Sequence, residues 1–90
     1  MYRVEFTAIA RNEVARLEKS ESQAFKKIEK LLKELVEHPY TGTGKPKPLG
    51  GDRTGQWSRR ITDKHRLVYT IEDEKLIVLV LSASSHYGDK

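Results

Sequence analysis

Tyr2, Val4 and Phe6 alternate with Arg3 and Glu5, a two-residue period that predicts a strand over residues 2–6 with one buried face. Thr7 is placed to cap a short amphipathic helix, in which Ala10, Val14 and Leu17 recur at i, i+4 and i+7 among charged residues. Ser20 with Gln23 three residues on reads as a capping box for a second helix, where Ala24/Phe25, Ile28, Leu31/Leu32 and Leu35/Val36 keep a 3.6-residue period. That helix stops near His38, because helical geometry is disfavoured in the residue before Pro39. So short a junction folds the two helices into a hairpin.

Residues 40–56 carry five glycines (42, 44, 50, 51, 55) and two prolines (46, 48), which predicts a long irregular loop. Loops of this length inside a small domain are usually functional, and this one is basic at Lys45, Lys47 and Arg53. Trp57, Arg59 and Ile61 then alternate with Ser58, Arg60 and Thr62; Thr62-Asp63-Lys64-His65 supplies turn chemistry, and Leu67, Tyr69 and Ile71 alternate again. This predicts a hairpin. After a polar turn at residues 72–75, Leu76 to Leu81 is continuously apolar, as for a strand at the sheet centre covered on both faces. The order is β-α-α-loop-β-β-β: one domain of the α+β class, spanning residues 1–90, in which a helical hairpin covers one face of the sheet.

Composition narrows the chemistry. There are no cysteines and three scattered histidines, so thiolate zinc, disulfide frameworks and cysteine nucleophiles are excluded and an all-histidine metal site is not expected. No apolar run approaches the roughly 18 residues that span a bilayer, and Met1-Tyr2-Arg3-Val4-Glu5 has no signal core, so the expected location is cytoplasmic, with no membrane contact. The formal charge is +4, unevenly distributed: +1 over residues 1–44, +5 over residues 45–66, −2 over residues 67–90. A basic stretch of this kind fits a polyanion, phosphate above all, or else a solvated charged loop.

Metal-free RNA cleavage requires a group to take a 2′-OH proton, cations at the phosphate and an acid for the 5′-oxygen. Arginine suits the second role because its planar fork matches two phosphate oxygens. Arg59 and Arg60 precede the hairpin turn and Arg66 follows it. They form either a phosphate clamp or an exposed set balanced by Asp63, Glu72 and Glu74; the register that would place Arg60 and Arg66 on one face is not set by the turn residues. His86 and Tyr87 near the chain end are candidates for proton transfer and for nucleotide stacking, with an ordinary chain end as the alternative. His65, in the turn, is expected to be exposed, with an RNA contact as the minority alternative; His38 is read as a dipole partner at a helix exit, and Trp57 as core.

Taken together, the segments Gly42-Thr43-Gly44-Lys45-Pro46-Lys47-Pro48-Leu49 and Gly55-Gln56-Trp57-Ser58-Arg59-Arg60-Ile61-Thr62-Asp63-Lys64-His65-Arg66-Leu67-Val68-Tyr69, with the later His86-Tyr87, resemble the YoeB/Txe family of bacterial toxins in the RelE superfamily. The resemblance extends over essentially the whole chain. It implies a RelE-like, microbial-ribonuclease-like fold with an antiparallel-rich twisted sheet. It implies an endoribonuclease that cleaves mRNA in the ribosomal A site, no metal or organic cofactor, and a cognate antitoxin of the YefM/Phd type.

By position, the resemblance makes Arg66, His86 and Tyr87 catalytic and Arg60 a supporting arginine; Arg59, Lys45 and His65 are read from the basic stretch as further substrate contacts, and Lys47 joins the catalytic set. The chain departs from the family pattern Lys-Pro-Glu-Pro-Leu at Lys47, where the usual general base is a glutamate, and it continues three residues past the His-Tyr pair. Three arrangements suit Lys47: a base, since neighbouring cations favour its neutral form; a phosphate ligand with His86 as base; or a change that alters activity. The alternative functions are a non-catalytic RNA- or ribosome-binding module that has lost its base and a groove for the acidic tail of a partner. Monomer and homodimer both remain open.

Overall fold

Thr7 joins the first strand to the first helix with one hydroxyl, which accepts the Ala10 N–H at 3.0 Å and donates to the Leu81 carbonyl at 2.9 Å. The computed structural model describes residues 1–83. Its elements are β1 (Arg3–Phe6), α1 (Ala8–Ser20), α2 (Ser22–Glu37), the two-residue β2 (Lys47–Pro48), β3 (Gln56–Arg60), β4 (Arg66–Glu72) and β5 (Ile77–Ser82), with one 3-10 turn at Gly51–Arg53. The β-α-α-β-β-β order read from the sequence is present, with β2 and the 3-10 turn inside the long loop.

The predicted capping box is absent. Ser20 is the last residue of α1 and its hydroxyl donates back to the Arg16 carbonyl, so the helices meet at Glu21 alone and α2 starts without a side-chain cap. At its other end α2 stops at Glu37, and His38 closes it through its N–H to the Glu34 carbonyl. Pro39 follows, as the helix-exit argument requires.

The five strands are ordered β1-β5-β4-β3-β2; β1 runs parallel to β5 and the other neighbours are antiparallel. β4, not β5, is therefore the middle strand. Nor is β5 covered equally on both faces: Val78 and Val80 are buried while Ile77, Leu79 and Leu81 are partly open, and Leu76 lies in the preceding turn at φ 55°, exposed. An apolar run can serve a strand whose second face is only half covered.

Ala24, Ile28, Leu31 and Leu35 of α2, with Ala10 and Leu17 of α1, pack on Leu67, Tyr69, Val78 and Val80. Each buried large side chain contributes about 1.5–3 kcal/mol. Register places Val4 and Phe6 beside Val78 and Val80, and Trp57 and Arg59 beside Tyr69 and Leu67, all on this helix-covered face. The opposite face collects the alternate residues. Between Val68 and Tyr69 the β4–β5 register shifts, leaving Leu81 as an extra residue, so Ser82 pairs with Val68 on the open face and Ala83 returns to the core. Ala83 is also held by its N–H to the Glu13 carboxylate at 2.7 Å.

Candidate functional site

The β3–β4 register pairs Arg60 directly with Arg66 and Ser58 with Val68, and β2 pairs Lys47 with Ser58. Directly opposed residues share a face, so Lys47, Arg60 and Arg66 stand together on the side away from the helices. The Arg60 N–H is aimed at the Gly44 carbonyl (2.7 Å), away from β4. Arg60 and Arg66 are thus a non-hydrogen-bonded pair, the kind in which opposing side chains lie closest. Arg60 is exposed and has Asp63 at 3.6 Å, a surface contact of little energetic weight. Lys45, at φ 52°, and Lys47 are exposed on the adjoining loop and edge. The Ser58 hydroxyl, on the strand beside Lys47, is buried with no hydrogen-bond partner among the described residues.

Arg59 departs from its expected role as a substrate contact. It is completely buried and faces the helices. Its Nε donates to the Tyr69 hydroxyl (3.0 Å), Nη1 to Glu34 Oε1 (3.1 Å) and the Thr43 carbonyl (3.4 Å), and Nη2 to the carbonyls of His38 and Thr41 (2.7 Å for Thr41). The fork that could have held phosphate instead holds the chain leaving α2. Glu34 completes the clamp by accepting the Thr43 N–H (2.8 Å) and hydroxyl (2.7 Å). The Thr43 hydroxyl first, then its N–H and the Arg59 charge, hold the Glu34 carboxyl below its usual range, against a smaller opposing effect of burial. Burial pushes the Tyr69 phenol up, partly offset by Arg59.

Two glycines are required by this clamp. A Cβ on Gly42, at φ 123°, would stand 2.5 Å from Glu34 Oε1, and one on Gly44, at φ 87°, would stand 2.9 Å from the Arg60 carbonyl. The glycine-rich loop can therefore lie against β3 and align the backbone at Arg60.

His65 is also corrected: the ring expected to be solvent-exposed is 8% exposed, and its Nε2 meets Glu21 Oε2 at 3.2 Å. The ring is turned toward the helices, not toward solvent. Trp57 is half-buried against the core, with Tyr40 edge-on at 5.2 Å. His86 and Tyr87 lie outside the described residues. Among the described residues no three histidine or carboxylate side chains gather to hold a metal, and no helix is long and apolar enough to cross a membrane.

Away from the basic face, Asp73 accepts hydrogen bonds from the hydroxyls of Tyr2 and Tyr40, both at 2.6 Å, which joins the β4–β5 turn to the N-terminal segment and to the loop after α2. These bonds hold the Asp73 carboxyl below its usual range; the same bond pushes Tyr40 up to about 12. Because the tyrosine must stay protonated to donate, this contribution to stability is complete below the ordinary phenol value of about 10 and disappears as pH rises through the folded-state value. In Asp73→Ala, ultraviolet titration should show the Tyr40 ionisation falling toward ordinary values, and alkaline unfolding should begin earlier. An unchanged titration would show that Asp73 is not the cause.

Residues 6–87 match a family model described as a YoeB-like toxin of bacterial type II toxin-antitoxin systems. This chain belongs to that YoeB family. It is 39% identical over 85 residues to the toxin YoeB of Streptomyces coelicolor, covering 94% of this chain and 99% of the relative. Among solved structures it is similar to a YoeB/ParE toxin from Agrobacterium tumefaciens, with TM-score 0.88 and 32% identity over 97% of this chain and all of that one. It also resembles a chain of the YoeB–YefM complex from Staphylococcus aureus, with TM-score 0.83 and 33% identity over 97% and 99% of the two chains. YoeB membership makes the chain a toxin of a toxin-antitoxin system, and the two-helix, five-strand mixed sheet is the fold of its relatives.

Proposed function

We propose that this YoeB-family toxin is a ribosome-dependent endoribonuclease that cleaves mRNA in the A site without a metal. The observation that carries the reading is the direct cross-strand pairing of Arg60 with Arg66 on the open face, beside Lys47. Two forked cations at closest cross-strand approach suit a phosphate whose negative charge grows in the transition state. The ribose 2′-oxygen attacks phosphorus and loses its proton; the bond from phosphorus to the 5′-oxygen breaks and that oxygen gains a proton. The products are a 2′,3′-cyclic phosphate and a 5′-OH. Arg66 and Arg60 stabilise the phosphorane-like charge, Lys47 and Lys45 contact the backbone, His86 moves protons and Tyr87 orients a nucleotide. The roles of His86 and Tyr87 come from the family resemblance. The natural partner is a YefM-type antitoxin, as in the S. aureus complex; the S. aureus YoeB has also been solved as a dimer.

The test is end mapping of a defined mRNA recovered from ribosomes incubated with the purified protein. New 5′-OH ends confined to ribosome-bound message support cleavage, whereas arrested translation with intact message supports a binding module that has lost its base.

Lys47→Glu checks the chemistry at the position that departs from the family. Lys47 is exposed on a two-residue edge strand, so the change should alter stability by no more than about 0.5 kcal/mol. Cleavage is expected to be retained or raised. Complete loss, with an unchanged denaturation midpoint, would show that this chain has rebuilt its chemistry around the lysine.

A further inference from the structure

The two arginines flank a turn formed by residues 61–65. Within it, the N–H groups of Ile61 and Thr62 donate to the His65 carbonyl (2.9 and 3.2 Å), and the Thr62 hydroxyl accepts the N–H groups of Lys64 and His65, both at 3.1 Å. These bonds shape the turn but do not fix where it stands on the rest of the molecule. That attachment comes from Ile61, buried in the core, and from polar contacts to the helices. Lys27 Nζ lies 3.5 Å from the Ile61 carbonyl, Lys64 Nζ lies 3.9 Å from Glu21, and the His65 ring meets Glu21 at 3.2 Å. The first two are long; the third is the short contact and joins a buried ring to its carboxylate.

We propose that His65 and Glu21 are positioning residues for the arginine pair: they lock the β3–β4 turn to the single-residue junction between α1 and α2 and so set where Arg66 and Arg60 stand. The inference rests on the reading of that pair as the phosphate site. Three independent features support it. Successive residues of a strand point to opposite faces, so drawing His65 toward the helices turns Arg66 to the open face. Glu21 stands at the α2 N-cap position yet makes no capping bond there, and its carboxylate instead reaches a residue 44 positions away. The ring is buried in a turn where exposure is usual, and its Nδ1 is buried with no hydrogen-bond partner among the described residues. With hydrogen on Nε2, the imidazole donates to Glu21 and leaves only a lone pair unshared at Nδ1.

Glu21→Ala, Glu21→Gln and His65→Gln separate positioning from general support, with ring-nitrogen NMR, arginine Nε–H resonances and cleavage kinetics on ribosome-bound mRNA as readouts. The parental protein should show the Nε2–H tautomer. Glu21→Ala should lower kcat about tenfold with KM changed by less than about twofold, the pattern of a misplaced transition-state contact, and should shift the Arg66 resonance. His65→Gln should lower kcat in the same way. Glu21→Gln, whose side-chain carbonyl still accepts from Nε2–H, should recover most of the rate. Parental kcat in Glu21→Ala, or an Nε2 without hydrogen in the folded parent, would overturn the proposal. If the parent itself does not cleave message, the nuclease reading fails separately. The arginine resonances then decide the positioning: a shift in Glu21→Ala upholds it and unchanged resonances reject it.

Discussion

Arg59→Ala should lose about 3–5 kcal/mol of folding stability, the range for stranding one member of a buried ion pair. A 90-residue domain has roughly 5–13 kcal/mol in total, so the loss is a large fraction of the whole. The physical cause is specific. One guanidinium serves the Tyr69 hydroxyl, the Glu34 carboxylate and the carbonyls of His38, Thr41 and Thr43. Without it, five acceptors around a part-buried helix exit lose their donors together, and each one left unsatisfied out of reach of water costs about 1–3 kcal/mol. Arg59→Lys keeps the charge but not the planar fork, so it should recover less than half of the loss. Urea denaturation of the three proteins provides the measurement. A parental midpoint in Arg59→Ala would show that the loop is held by something other than this side chain.

Arg66→Ala should leave the fold within about 1 kcal/mol of the parent, since the residue is only partly buried on the open face. Its effect belongs to the reaction. Removing one preformed donor from a developing oxyanion typically costs about 2.7–4 kcal/mol, or a 100- to 1000-fold drop in kcat. Arg66→Lys should fall between, because a point charge still attracts the phosphate but cannot engage two oxygens. Single-turnover cleavage on programmed ribosomes reads this directly, and a parental rate in Arg66→Ala would remove the residue from the mechanism.

Much of this was legible in the chain because the periods were unambiguous. Tyr2, Val4 and Phe6, the α2 stripe from Ala24 to Leu35, and the stop before Pro39 are local signals, and the structure follows them. Register was not local. Whether Arg60 faces Arg66 is decided by the backbone bonds closing residues 61–65, which the turn composition alone does not specify. Arg59 was misread for a different reason: its partners lie 10 to 25 positions away and most are backbone carbonyls, which leave no mark in a sequence. A usable sign was nevertheless present. Arg59 alternates in phase with Trp57 and Ile61, the inward side of the strand, and an arginine there implies buried acceptors. The same phase argument applies to His65, two positions before the buried Leu67. The capping box failed because Ser20 continues α1, so an apparent helix start was a helix end.

The extra residue at Leu81 makes β5 tolerant of a loss there but not of a further gain. Deleting that one residue would leave Val80 opposite Tyr69 and Ser82 opposite Val68 in a regular ladder with Ala83 still turned to the core, whereas inserting a further residue there would invert the inside-outside phase of the segment beyond it. A Cβ built on Gly50 or Gly51 would meet no atom within 4 Å, so the long loop should accept an insertion there that the last strand would refuse. Evolution can lengthen this molecule at its rim but has little room to do so where the sheet hands the chain on.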